Sequence, residues 1–167
     1  MGGTDVSSYT SMAMPAVGTI DMKLEVVTLP VSDVDRAKSF YESLGWRLDI
    51  DLVVSDDLRT VQFTPPHSGC SIQFGKGGTA AQPGSAAGMI LVVSDIEAAR
   101  DDLLSRGTPV GEIFHFGEAG QTPGVDPERR SYATFMPFED PDGNTWLVQE
   151  VKRDWRLEVV KVDEVAA

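Results

Sequence analysis

The chain of 167 residues contains a single cysteine, Cys70, so no internal disulfide framework can form. That scarcity fits a reducing compartment, and the cytoplasm is the expected location. No apolar stretch approaches the roughly 20 residues that a membrane-spanning helix needs. Cations are few: 14 Lys and Arg stand against 26 Asp and Glu, for a formal net charge of -12. Phosphates would be repelled over most of such a surface, which argues against nucleic acid and anionic membranes as partners and leaves small molecules and proteins. The first 21 residues lack the basic start and continuous apolar region of a secretory signal, and their Gly, Ser and Thr content predicts a flexible extension.

What the chain does have is an internal repeat. Leu29 to Gly45 returns as Leu91 to Gly107 at a constant offset of 62 positions, with Val31/Val93, Ser32/Ser94, Asp33/Asp95, Ala37/Ala99 and Ser43/Ser105 also matching. Each copy reads as strand, capped helix and turn. Neither copy alone can close a core, so the two are expected to bury their open sides together, with the surface between them as a natural ligand site.

In the first copy Lys23 to Val31 is a strand candidate. Ser32 and Asp35 form a capping box for a helix running to Leu44, and Gly45 stops it. Val34, Ala37, Phe40, Tyr41 and Leu44 form its apolar stripe. Trp46 to Val54, Arg59 to Thr64 and Cys70 to Phe74 follow as strands between turn-forming residues. In the second copy Met89 to Val93 is the strand, Ser94 and Glu97 repeat the box, and Pro109 to Phe116, Ser131 to Phe138 and Asn144 to Val151 complete the order. The fold class is α+β: two tandem βαβββ modules forming cupped mixed sheets around a ligand cleft. The modules span residues 22–75 and 89–151, with a link at 76–88 and a C-terminal extension, 152–167, as an edge strand or short helix. Gly117 to Arg130 is a long Gly/Pro insertion, of a length often found in lids and binding loops.

The candidate chemistry is sparse. His115, at a strand end entering the insertion, is the candidate catalytic residue, because an imidazole titrates near neutral pH and serves as acid or base. His67 reads as an exposed turn residue. Gln73 and Gln149 project from closing strands and suit hydrogen bonding to a ligand in the cup. Arg130 and Tyr132 follow the insertion and suit a carboxylate or phenol at the cleft mouth. Trp46 is a candidate aromatic wall, with core packing as the alternative.

The paired βαβββ units, the V-S-D-[VI]-[DE]-x-A helix starts and the closing DPDGNTWLVQEV at Asp140 to Val151 together resemble the vicinal oxygen chelate superfamily. That group includes glyoxalase I, bleomycin-resistance proteins, fosfomycin-resistance enzymes, extradiol dioxygenases and methylmalonyl-CoA epimerase. The resemblance covers about Lys23 to Val151. It implies four inward metal ligands in the metal-using members, at positions that here carry Val26, Gly88, Gln73 and Leu147. Only Gln73 offers a donor atom, so no metal and no other cofactor is expected. The resemblance also implies a homodimer. The leading function is therefore a glyoxalase/bleomycin-resistance-like protein binding a small organic molecule without metal, by sequestration or by His115 acid-base chemistry of the lyase or isomerase kind. A metal-dependent lyase, isomerase or dioxygenase of the same superfamily is the second reading, and a non-catalytic interaction module the third.

Overall fold

Each copy of the repeat folds as a strand, a helix and then a run of strands. A computed structural model describes residues 22–118 and 120–152. The expected N-terminal extension and nearly all of the C-terminal one lie outside the described residues. The elements are β1 (Val26–Thr28), α1 (Val34–Ser43), β2 (Arg47–Ser55), β3 (Leu58–Thr64), β4 (Ser71–Lys76), β5 (Met89–Val93), α2 (Ile96–Ser105), β6 (Phe114–Gly117), β7 (Gly120–Pro123), β8 (Thr134–Glu139) and β9 (Thr145–Glu150). One sheet has the order β1-β4-β3-β2 and the other β5-β9-β8-β6-β7. In each, the first strand pairs parallel with the last, as two mixed sheets built by one duplicated βαβββ unit require. No helix among the described residues is long and apolar enough to cross a membrane.

The pairing register reproduces the repeat. Thr28 lies opposite Gln73 and Ile90 opposite Leu147, so the first strands, 62 positions apart, meet equivalent positions of the two closing strands. Both helices stop at a glycine with positive φ, Gly45 at 75° and Gly107 at 79°, a backbone state that costs other residues more.

Three expectations are corrected. The helix caps are Asp33 and Asp95 rather than Ser32 and Ser94. Asp33 Oδ1 accepts from the Asp35 and Arg36 amides, each at 3.0 Å, and Asp95 Oδ1 accepts from the Ala98 amide at 3.0 Å. Ser32 instead donates its hydroxyl to Asp142 of the closing turn, and a carboxylate suits a helix N-terminus better than a hydroxyl. The strand expected from Pro109 begins only at Phe114, with Val110 making one isolated bridge to Phe138. The insertion is in part a hairpin: β7 pairs antiparallel with β6 from Phe114↔Pro123 to Gly117↔Gly120.

One apolar core holds both modules. Val34, Ala37, Tyr41 and Leu44 turn the stripe of α1 onto Val61, Phe63, Ile72 and Phe74, while Ile96, Met136, Phe138, Trp146 and Val148 fill the second module. Each such side chain contributes about 1.5–3 kcal/mol on leaving water. The modules meet where Tyr41 and Trp46 touch Trp146, at centroid distances of 6.3 and 5.3 Å. A polar clasp lies beside this seam. Asp140 accepts from the Tyr41 hydroxyl at 3.0 Å and the Asn144 amide nitrogen at 2.7 Å. Asn144 also donates to the Pro30 carbonyl at 3.0 Å, and Asp142 binds Arg36 at 2.9 Å. The turn chemistry of Asp-Pro-Asp-Gly-Asn thus ties the second module to the start of the first helix.

Candidate functional site

Residues opposite one another in a ladder share a face, and neighbours along a strand alternate. In the second sheet Met136, Val148 and Trp146 belong to the helix-side face, as their burial shows. The other face is open. One of its rows runs Val92–Gln149–Phe135–Phe114–Pro123, and beside it lie Ile90–Leu147–Pro137 and Phe116–Gln121. Phe114, Phe116 and Phe135 form an aromatic cluster with centroids 5.5–5.8 Å apart. Phe116 remains 61% exposed, and Ile90 and Val92 are exposed as well.

The first sheet's open face is polar at its centre and apolar at one edge. The row Thr28–Gln73–Gln62–Ile50 crosses it. Arg47 pairs with Thr64, and between Leu48↔Phe63 and Ile50↔Gln62 the register slips by one residue. Asp49 is the extra residue of this bulge, and the bulge swings its carboxylate onto the open face, the usual effect of such an insertion. There it accepts from the Thr64 hydroxyl, from Gln62 Nε2 at 3.5 Å and from Arg47 Nε at 2.6 Å. Ser71 Oγ lies 2.7 Å from Thr64 Oγ1. The Thr64 hydroxyl, followed by Arg47 and then Gln62, holds the Asp49 carboxyl below its ordinary range.

The positions implied as metal ligands do not fit a metal. Val26, Gln73 and Leu147 lie on the open faces and Gly88 precedes β5, so only one amide oxygen is on offer. Among the described residues no three His, Cys, Asp or Glu side chains converge. A divalent ion requires more donors than these corners supply.

The structure separates the candidate residues. Gln149 and Tyr132 come together, with Gln149 Nε2 donating to the Tyr132 carbonyl at 3.2 Å. Gln73 stands on the first sheet's open face and donates to Thr28 Oγ1 at 2.9 Å. His115 does not join them. It lies opposite Thr134 on the helix-side face, is 8% exposed, and holds its Nδ1 3.0 Å from the Gly124 carbonyl. Period two between two phenylalanines turns it away from the open face. Arg130 spends its fork on Asp126, with Nε at 3.0 Å and Nη2 at 2.7 Å, and holds that carboxyl down at about 2. Trp46 is buried in the seam, so packing and not a ligand wall accounts for it. The insertion's end is pinned: Tyr132 donates its amide to the Glu150 carbonyl at 2.8 Å, and Arg129 reaches Glu97 at 2.8 Å.

Sequence reasoning missed Phe114 and Phe116, although the pattern Phe-His-Phe carried the signal: the two rings share one face and the histidine takes the other. It also missed Arg47 and Asp49. Nothing in Arg-Leu-Asp-Ile-Asp marks a bulge, because the slip exists only against the partner strand.

The family model for the Glyoxalase/Bleomycin resistance protein/Dioxygenase superfamily matches residues 23–148. No curated protein sequence matches. Among solved structures, the antibiotic binding protein TnmS3 from Streptomyces sp. CB03234 is similar, with 26% identity, TM-score 0.62, and coverage of 80% of this chain and 99% of that one. A glyoxalase/bleomycin resistance protein from the same Streptomyces strain shares 27% identity at TM-score 0.59, covering 77% and 100% of the two chains. A member of the glyoxalase/bleomycin resistance protein/dioxygenase superfamily from Sphaerobacter thermophilus DSM 20745 shares 25% identity at TM-score 0.60, covering 78% and 98%.

Proposed function

Since the chain belongs to the glyoxalase/bleomycin resistance protein/dioxygenase superfamily, we propose that it binds a small organic molecule with a flat apolar part on its open sheet faces and sequesters it without a metal ion. The observation that carries this reading is the ring cluster of Phe114, Phe116 and Phe135 on the open face, with Phe116 exposed and the half-buried Phe135 and Phe114 in one row with Gln149. An aromatic ring left exposed among other apolar side chains marks a recognition site, and a flat ligand recovers both buried area and ring contacts. TnmS3, described as an antibiotic binding protein, lends support from a relative. His115, on the far face, is structural in this reading, which favours retention of the ligand over acid-base turnover.

The same proposal includes a homodimer. Val53 and Val54 of β2 and Ile90 and Val92 of β5 are exposed apolar side chains, and a second copy is the partner that a duplicated, half-open scaffold suits best. Light scattering on the purified protein checks it, with a monomer at all concentrations as the contrary result.

The binding reading is tested by titrating protein purified without chelator with N-phenyl-1-naphthylamine, a neutral apolar arylamine whose fluorescence rises on burial. Saturable binding is expected, and Phe116→Ala is expected to weaken it about tenfold, the equivalent of roughly 1.4 kcal/mol. Stoichiometric bound transition metal together with turnover of a small-molecule substrate would overturn it.

A further inference from the structure

We propose that Arg47 is an anion-recognition group of the open face, so that the ligand is an amphiphilic organic oxyanion: an apolar body carrying a carboxylate, sulfonate or phosphate. This rests on the binding reading above and names its ligand class.

Arg47 is placed on the open face by its pairing with Thr64. It is 73% exposed. Asp49 holds it through Nε alone, at 2.6 Å, which orients the guanidinium and leaves its two Nη groups without a partner among the described residues. That pair of nitrogens is the fork that matches two oxygens of one anion. An exposed ion pair by itself contributes little, yet much is committed to this one. The bulge re-aims Asp49, and Thr64 at 6% and Ser71 at 7% exposure are buried polar residues whose hydroxyls lead to its carboxylate. Buried hydroxyls are tolerated when hydrogen-bonded, and here their bonds fix the group that aims Arg47. The rows of this face contain no other cation among the described residues.

The neighbouring surface defines the rest of the ligand. Beyond the bulge, Ile50 and Leu52 lie opposite Gln62 and Thr60 on the same face, and both are exposed. A cation at one end of an aliphatic strip suits an anion with an apolar body. The carboxylate grip expected of Arg130 is taken up by Asp126, whereas Arg47 keeps its Nη pair open.

The test pairs two probes of one scaffold: 8-anilinonaphthalene-1-sulfonate, which carries an oxyanion, and neutral N-phenyl-1-naphthylamine. The sulfonate is expected to bind about tenfold tighter despite the acidic chain, as one charge-assisted hydrogen bond warrants. Arg47→Gln should abolish this preference and leave the neutral probe's affinity within about twofold. Asp49→Asn, which keeps Arg47 but loosens its aim, should remove most of it. Arg100→Gln, with the same charge change on α2, should preserve it. Equal binding of both probes by the parent, or an unchanged preference in Arg47→Gln, overturns the anion assignment. If in that case Phe116→Ala still weakens both probes, the general binding reading stands. If neither probe binds, both readings fall.

Discussion

Replacing Tyr41 with Phe would remove one oxygen from the seam and leave the ring packing. The hydroxyl donates to Asp140 Oδ2 at 3.0 Å and accepts from Trp146 Nε1 at 3.3 Å. The phenol's pKa is raised, by burial first and by Asp140 second, so it remains a donor. Asp140 Oδ2 keeps the Asn144 amide at 2.7 Å, but the indole N–H bonds no other acceptor among the described residues. A lost hydrogen bond to a carboxylate costs about 1.5–3 kcal/mol and a stranded buried N–H about 1–3 kcal/mol. Not having to bury the hydroxyl offsets roughly 1–2 kcal/mol. At mid-range these terms leave a net destabilisation of about 3 kcal/mol, or a fall in melting temperature on the order of 10 °C. Urea denaturation reads it as a lower midpoint at unchanged slope. The cost should shrink in an Asp140→Asn background, because the two groups share one network. A loss under about 0.5 kcal/mol, or full additivity with Asp140→Asn, would refute the clasp as a major link between the modules.

The other predictions concern the site and the acid range. His115→Ala should leave N-phenyl-1-naphthylamine affinity within about twofold while lowering stability by roughly 1–3 kcal/mol through the lost Gly124 contact and packing; a tenfold affinity loss at unchanged stability, read by titration and urea melts, would return His115 to the site. Asp51 and Asp126 are held down at about 2 by Arg59 and Arg130 respectively. A carboxyl lowered by folding adds stability that is whole above its unfolded value near 4 and is lost as pH falls through about 2. Denaturation midpoints should therefore drop between those values, with a shallower drop in Asp51→Asn and Asp126→Asn, and an unchanged profile in both variants would contradict the assignment.

The fold was legible because its signals are local and repeated. Two helix starts, two glycine stops and alternating apolar runs at a fixed offset leave one economical arrangement, and the pairing of Thr28 with Gln73 and Ile90 with Leu147 follows it. The candidate site was less legible, for reasons that differ by residue. Gln149 could be placed by alternation along β9. His115 stands out as one of two imidazoles in the chain, and the same alternation sends it to the helix side. Trp46 follows the helix stop directly, where neither helical nor strand period assigns a face. The insertion has the composition of a loop, Gly-Gln-Thr-Pro, and becomes β7 only through pairing with β6. Asp49 depends on a register slip between strands, which no single segment records.

The doubled unit also bears on how such a molecule diversifies. In an assembly of identical subunits, rotational symmetry imposes each substitution on every copy of a surface. Covalent fusion of two copies lifts that constraint, and here the two sides have drifted apart: hydroxyls, amides and a bulged carboxylate on one, phenyl rings on the other. Asymmetric molecules need asymmetric receptors, and a fused ancestor can evolve one half toward each end of its guest.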